Sequence, residues 1–134
     1  WGRPDMFFLK LFRSIKLKRI FHLNNYGNHI RDFTYIGDVF NILNKLIYKK
    51  QLKHEIYNFC SNNPINITKI VNDIRSKYYV KIKLSPLHKA DIIKTHGSNN
   101  KILRKTGYKK FMNIQKGIDK TIKWYEKYQI EKIT

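Results

Sequence analysis

Apolar residues recur along the first third of the chain in two rhythms. Phe8, Leu11, Phe12 and Ile15 fall at helical spacing, which predicts an amphipathic helix over 4–17. Pro4 suits the first helical position, where its missing N–H costs nothing. Asp5 would then sit in the first turn, beside the positive end of the helix dipole. Ile20-Phe21-His22-Leu23 alternates and predicts a short strand. It runs into Asn24-Asn25-Tyr26-Gly27-Asn28, a dense turn signal in which Gly27 can take positive φ. Phe33 and Tyr35 then continue an extended run through Ile36.

Val39, Ile42, Leu43, Leu46 and Ile47 mark a helix face, with Asp38 at its start and Lys49-Lys50 at its end. Ile56-Tyr57-Asn58-Phe59-Cys60 is apolar on both faces, as a strand inside an α/β sheet would be. Ser61-Asn62-Asn63-Pro64 turns the chain, and Asn66 is placed to cap a helix carrying Ile67, Ile70, Val71 and Ile74. Val80, Ile82 and Leu84 alternate with lysines, the period of a strand exposed on one side. An irregular stretch follows Pro86 as far as Thr95. Ser98 is placed to cap a short helix holding Ile102 and Leu103, which Gly107 stops. Ile114, Ile118, Ile122 and Tyr125 share a face of a last helix, 114–129, with Trp124 beside it. Alternating strands and helices predict an α/β or α+β unit over residues 1–134.

Charge changes this picture less than its size suggests. The net charge is +19, which ordinarily points to a polyanion. Yet Lys, Ile, Asn and Tyr make up nearly half of the chain and Ala occurs only at Ala90, the signature of A/T-rich codons. The 22 Lys are scattered over every segment and outnumber the 6 Arg, whereas readers of nucleic acid concentrate both and use Arg on the bases. Codon drift therefore accounts for the charge better than a nucleic-acid interface does. The lone Cys60 cannot form an internal disulfide, so a reducing, cytoplasmic setting is expected. His22, His29, His54, His88 and His96 show no metal-ligand spacing. No membrane span or signal peptide is expected.

Two strings carry more. Trp1-Gly2-Arg3-Pro4-Asp5-Met6 precedes Arg31-Asp32-Phe33-Thr34-Tyr35-Ile36-Gly37-Asp38-Val39. At this separation they resemble the NAD-dependent sugar-nucleotide epimerases and dehydratases, the extended short-chain dehydrogenases, and among these the UDP-glucuronate 4-epimerases. Further landmarks keep family order: the Asn25-Tyr26-Gly27-Asn28 turn, Ile56-Tyr57-Asn58-Phe59, Asp91, Thr95, Lys105-Thr106-Gly107-Tyr108-Lys109 and Ile122-Lys123-Trp124-Tyr125. Departures include Gly37 where the family has Asp, Asn24 in place of an aromatic residue, and Lys89-Ala90 in place of Pro-Gly. His96-Gly97-Ser98 and Lys110 also depart from the pattern.

The resemblance implies the C-terminal, substrate-binding portion of the fold, with the N-terminal Rossmann half missing from this chain. The start at Trp1 agrees with a C-terminal piece of a longer enzyme. The chain lacks the family's glycine-rich phosphate loop and its Tyr-x-x-x-Lys pair, so no catalytic or cofactor-binding residue is expected here. NAD would be held by the missing half of the parent, and a UDP-sugar by residues of this chain. By position Arg31 would grip the UDP diphosphate, since a guanidinium donates to two oxygens at once. Arg3 would meet the glucuronate carboxylate, and Asp91 would accept from a ribose hydroxyl. Asn25 and Tyr26 would line the uracil pocket. Asp32 and Asp38 are expected to be structural, one ordering the turn and one favouring a helix N-terminus. Relatives are commonly dimers, so a homodimeric parent is implied. The competing readings are a truncated, non-enzymatic remnant and a small basic nucleic-acid-binding domain. A remnant or fragment would leave the apolar faces of 36–48 and 56–60 uncovered.

Overall fold

The computed structural model describes residues 5–50 and 54–128. The chain forms two units: Trp1–His29, Asn66–Ile93 and Asp119–Thr134 make the first, and Ile30–Ile65 with Lys94–Ile118 the second.

In the first unit, strand β1 (Phe21–Leu23) runs parallel to β4 (Ile82–Leu84), pairing Phe21 with Ile82 and Leu23 with Leu84. Phe21 and Leu23 are buried and His22 between them is exposed, as the period of two requires. Helix α1 (Phe7–Lys16) buries Leu9, Leu11 and Phe12. The Phe12 ring lies 5.8 Å from that of Tyr125 on α5 (Ile114–Tyr128). The start of α1 differs from the expected one. Met6 is held extended (ψ 150), so helical bonding begins with Lys10 N–H donating to the Met6 carbonyl at 3.0 Å. Asp5 therefore precedes the first turn, and Pro4 lies outside the described residues.

Helix α3 (Ile67–Arg75) buries Ile67, Ile70, Val71 and Ile74, and the Asn66 side chain caps it by accepting from Thr68 N–H at 2.7 Å. The turn after β1 is tighter than its sequence suggests. Asn25 (φ 49) and Tyr26 (φ 53) join Gly27 (φ 83) in the left-handed region. Tyr26 N–H donates to the Ser85 carbonyl at 3.0 Å, and the Thr68 hydroxyl donates to the Gly27 carbonyl at 2.9 Å. The turn is thus bonded to both neighbouring segments.

In the second unit, β2 (Ile30–Asp32) pairs with β3 (Pro64–Asn66), and Ile30 also bridges to Lys94 in parallel. The extended run is therefore earlier than expected, because helix α2 (Ile36–Ile47) already begins at Ile36. Ile42 of α2, Ile102 of α4 (Asn100–Thr106) and Tyr108 form the core, flanked by Leu46, Tyr57, Phe59, Leu103 and Phe111. Asp38 is buried and joins these parts, accepting from the Tyr108 hydroxyl at 2.7 Å and from Met112 N–H at 2.9 Å. Burial, and then the Asp38 carboxyl, push the Tyr108 hydroxyl above the usual tyrosine range. Helix α4 ends as expected at Gly107 (φ 65), whose N–H returns to the Leu103 carbonyl at 2.8 Å. Its start is not capped by Ser98. Asn99 is the residue preceding the helix, and its amide instead donates to the Cys60 carbonyl at 2.9 Å.

No strand forms at 56–60. A segment of strand composition becomes a strand only beside a backbone partner, and here side chains take that place. The Ile56 carbonyl accepts from Lys101 Nζ at 3.2 Å and the Cys60 carbonyl from Asn99. Tyr57 and Phe59 pack into the core while Ile56 is exposed. The outward face of α2 is apolar as expected of a fragment: Ile36, Phe40, Leu43 and Ile47 are 70%, 60%, 43% and 65% exposed.

A β-carbon at Gly27 would stand 2.5 Å from Thr68 Oγ1 and 2.9 Å from Leu23 Cδ2 in a left-handed backbone, whereas one at Gly107 would meet nothing within 4 Å. Gly27→Ala should therefore lower the unfolding free energy by at least about 2 kcal/mol and Gly107→Ala by about 1 kcal/mol. Urea denaturation of both variants checks this; equal losses would show that the contact with Thr68 is not tight.

Candidate functional site

The second unit holds Arg31 in the middle of β2. Neighbouring residues on a strand project to opposite faces, so the orientation of Arg31 follows from what holds Asp32. The Asp32 carboxylate accepts from the Ser61 hydroxyl at 2.5 Å. Its two oxygens also lie 3.1 Å from Asn62 N, 3.4 Å from Asn63 N and 3.4 Å from Gly97 N, all donors. Asp32 N–H in turn donates to the Thr95 hydroxyl at 3.3 Å, and Ser61 N–H to the Thr34 hydroxyl at 3.0 Å. His96 Nε2 lies 2.6 Å from Asn62 Oδ1. Asp32 is structural, as expected, and what it orders is the 61–63 turn and the 95–97 segment. Arg31 is half-buried, and its Nη1 donates to the Ile30 carbonyl at 2.9 Å.

Cys60 lies behind this network. A β-carbon on Gly97 would stand 2.8 Å from its Sγ. Burial, and then the charge of Asp32, push the Cys60 thiol up, away from the thiolate form that a nucleophile needs. A hollow of about 250 Å³ in the same unit is lined by Phe33, Ser61, Asn63, Ile65 and Phe111–Ile114. None of the sequence-derived ligand residues lines it.

The first unit holds Asn25, Tyr26 and Asp91. The Asn25 amide is spent on the Asn28 carbonyl at 2.7 Å, while the Tyr26 side chain is exposed. Asp91 is partly exposed, and its Oδ2 accepts from the Asn24 amide at 2.9 Å. His29 Nε2 lies 4.0 Å from the same oxygen. Asn24 and His29 are not among the ligand contacts that the sequence implies. Their link to Asp91 spans 67 and 62 positions, and no local pattern signals it. Arg3 lies outside the described residues. Among the described residues no three of His, Cys, Asp and Glu gather as metal ligands, and no helix is long and apolar enough to cross a membrane.

The fold is that of the C-terminal portion of the extended short-chain dehydrogenases. The structure of MoeE5 in complex with UDP-glucuronic acid and NAD matches with a TM-score of 0.84 at 18% identity, covering 94% of this chain and 43% of that one. No family model matches the chain. Sequence relatives agree with the fold. UDP-glucuronate 4-epimerase 5 of Arabidopsis thaliana is 32% identical over 143 residues, covering 93% of this chain and 33% of that protein. The uncharacterized protein MJ1055 of Methanocaldococcus jannaschii is 32% identical over 128 residues, covering 93% and 39%. In sequence the chain is similar to the C-terminal part of UDP-glucuronate 4-epimerases. It spans well under half the length of the relatives it matches.

Removing the Asp32 carboxylate would take this partner from the Ser61 hydroxyl and from the Asn62 and Gly97 N–H groups, while Asn63 N–H keeps Ser61 Oγ at 3.3 Å. Asp32→Ala should therefore cost about 2–4 kcal/mol of stability, read by urea denaturation. A loss below about 0.5 kcal/mol, the size of an ordinary surface change, would show that the network does not hold the unit together.

Proposed function

We propose that the chain is the nucleotide-sugar-binding portion of an NAD-dependent UDP-glucuronate 4-epimerase. The observation that carries this reading is Arg31 standing in β2 next to an Asp32 that is tied into two loops. A guanidinium so placed offers paired, charge-assisted hydrogen bonds to a diphosphate. Asp91 offers a carboxylate to a ribose diol. Arg3, Asn25 and Tyr26 remain the proposed contacts for the sugar carboxylate and the base. The family relationship supports UDP-glucuronate as the substrate, because relatives carrying that name match across nearly the whole chain.

The residues described here do not fit NAD. A dinucleotide pyrophosphate needs glycines that let a strand-to-helix turn approach it. Gly27 follows β1 but is filled against Thr68 and Leu23, and Gly37 already lies within α2 against Tyr35. The chemistry of this chain is therefore positioning: it would hold the sugar nucleotide while bond changes are carried out by residues and NAD outside it. The apolar outward face of α2 supports a further body of the same parent packing there. A reducing cytoplasm is proposed on the lone Cys60, and a homodimeric parent on the resemblance to the epimerases alone. A nucleic-acid role has no such support.

Calorimetry with UDP-glucuronate and with NAD tests the proposal on the purified chain. UDP-glucuronate should bind saturably and NAD should not. Arg31→Ala should weaken UDP-glucuronate roughly ten- to a hundredfold, the equivalent of about 1.5–3 kcal/mol for a hydrogen bond to a charged group. Arg31→Lys should recover only part, since a point charge lacks the paired geometry. Saturable NAD binding, or an Arg31→Ala chain with unchanged affinity, would contradict the reading.

A further inference from the structure

His29 is 6% exposed, and its Nε2 has no hydrogen-bond partner. A buried nitrogen without a partner is rare and costly in a native fold. The ring cannot easily leave, because its backbone is bonded at both ends. His29 N–H donates to the Gly27 carbonyl at 2.9 Å and its carbonyl accepts from Ile67 N–H at 2.8 Å. Nε2 faces Asp91 Oδ2 across 4.0 Å, about 1 Å beyond an ordinary hydrogen bond. Asp91 stands in an irregular, largely exposed segment, and its Oδ2 is already held by the Asn24 amide at 2.9 Å. Its Oδ1 is engaged by neither Asn24 nor His29.

We propose that His29 is the positioning residue for Asp91. In the nucleotide-bound protein Asp91 closes the gap, Nε2–H of His29 donates to Oδ2 beside the Asn24 amide, and Oδ1 is left as the acceptor for a ribose hydroxyl. A carboxylate fixed through one oxygen by two donors keeps its second oxygen in one direction, so less ordering is needed when the hydroxyl arrives. The closure also gives the buried nitrogen its partner. This inference rests on the reading of Asp91 as a ribose contact.

Calorimetry on the full chain with UDP and with inorganic pyrophosphate, which has no ribose, separates the possibilities. His29→Phe should weaken UDP about tenfold, the scale of one hydrogen bond to a charged group, and leave pyrophosphate unchanged. His29→Gln, which can carry a donor near the Nε2 position, should restore most of the affinity. Equal binding of UDP by His29→Phe and the parent chain would overturn the inference alone. So would a parallel loss for pyrophosphate, which marks a merely structural role. A parent chain that binds no UDP would overturn the ribose reading and this inference with it. Should His29→Phe fail to fold, the long-range ¹H–¹⁵N spectrum of the parent chain decides. A His29 Nε2 resonance that moves on saturation with UDP supports the closure, and one that stays in place refutes it.

Discussion

One carboxylate organises the second unit. Asp32 collects a hydroxyl and three backbone N–H groups from positions 29 to 65 residues further along the chain. Charge-assisted bonds of this kind are stronger than neutral ones, and leaving their donors unmet would cost more than the bonds themselves return. The consequence extends beyond stability. With Asp32 committed to the loops on one face of a three-residue strand, Arg31 is committed to the other. The residue proposed to meet the diphosphate is thus oriented by its neighbour's structural bonds.

Helix α2 shows a second constraint. One side supplies Ile42 to the core, with Asp38 bonded to Tyr108 and Met112 at its first turn. The opposite side carries Ile36, Phe40, Leu43 and Ile47 at spacings of three and four. A helix apolar on two sides is one built to be covered on both. The neighbouring segment 54–60 agrees, being irregular, apolar in part and outside every strand among the described residues. Both features suit a chain that spans well under half of its relatives.

Much of this was legible from the residues in order. Helix α3 read directly because four apolar residues at helical spacing and an Asn cap agree with each other. Gly107 read as a stop because only a left-handed residue ends a helix that way. The family relationship was legible because six landmarks keep their order. What was not legible depends on partners far apart in sequence. The 56–60 segment has strand composition, but composition cannot say whether a neighbouring backbone is present. The Asp32 network and the Asn24–Asp91–His29 group bring residues together across 29 to 67 positions, and no short-range pattern encodes such a meeting. The start of α1 was misplaced for a local reason: Met6 is extended, and an apolar residue carries no signal for that.

The charge of the chain offers the sharpest alternative. Lys81 and Lys83 alternate with Val80 and Ile82 around a shallow hollow of about 490 Å³ that also includes Arg75. An anion could be held there by charge alone, without any of the geometry around β2. A crystal structure of the chain with UDP distinguishes the two most directly. The account predicts diphosphate oxygens within hydrogen-bonding distance of the Arg31 guanidinium, with the Asp32 bonds to the 61–63 turn unchanged. Diphosphate bound at Arg75, Lys81 and Lys83, with none at Arg31, would contradict it.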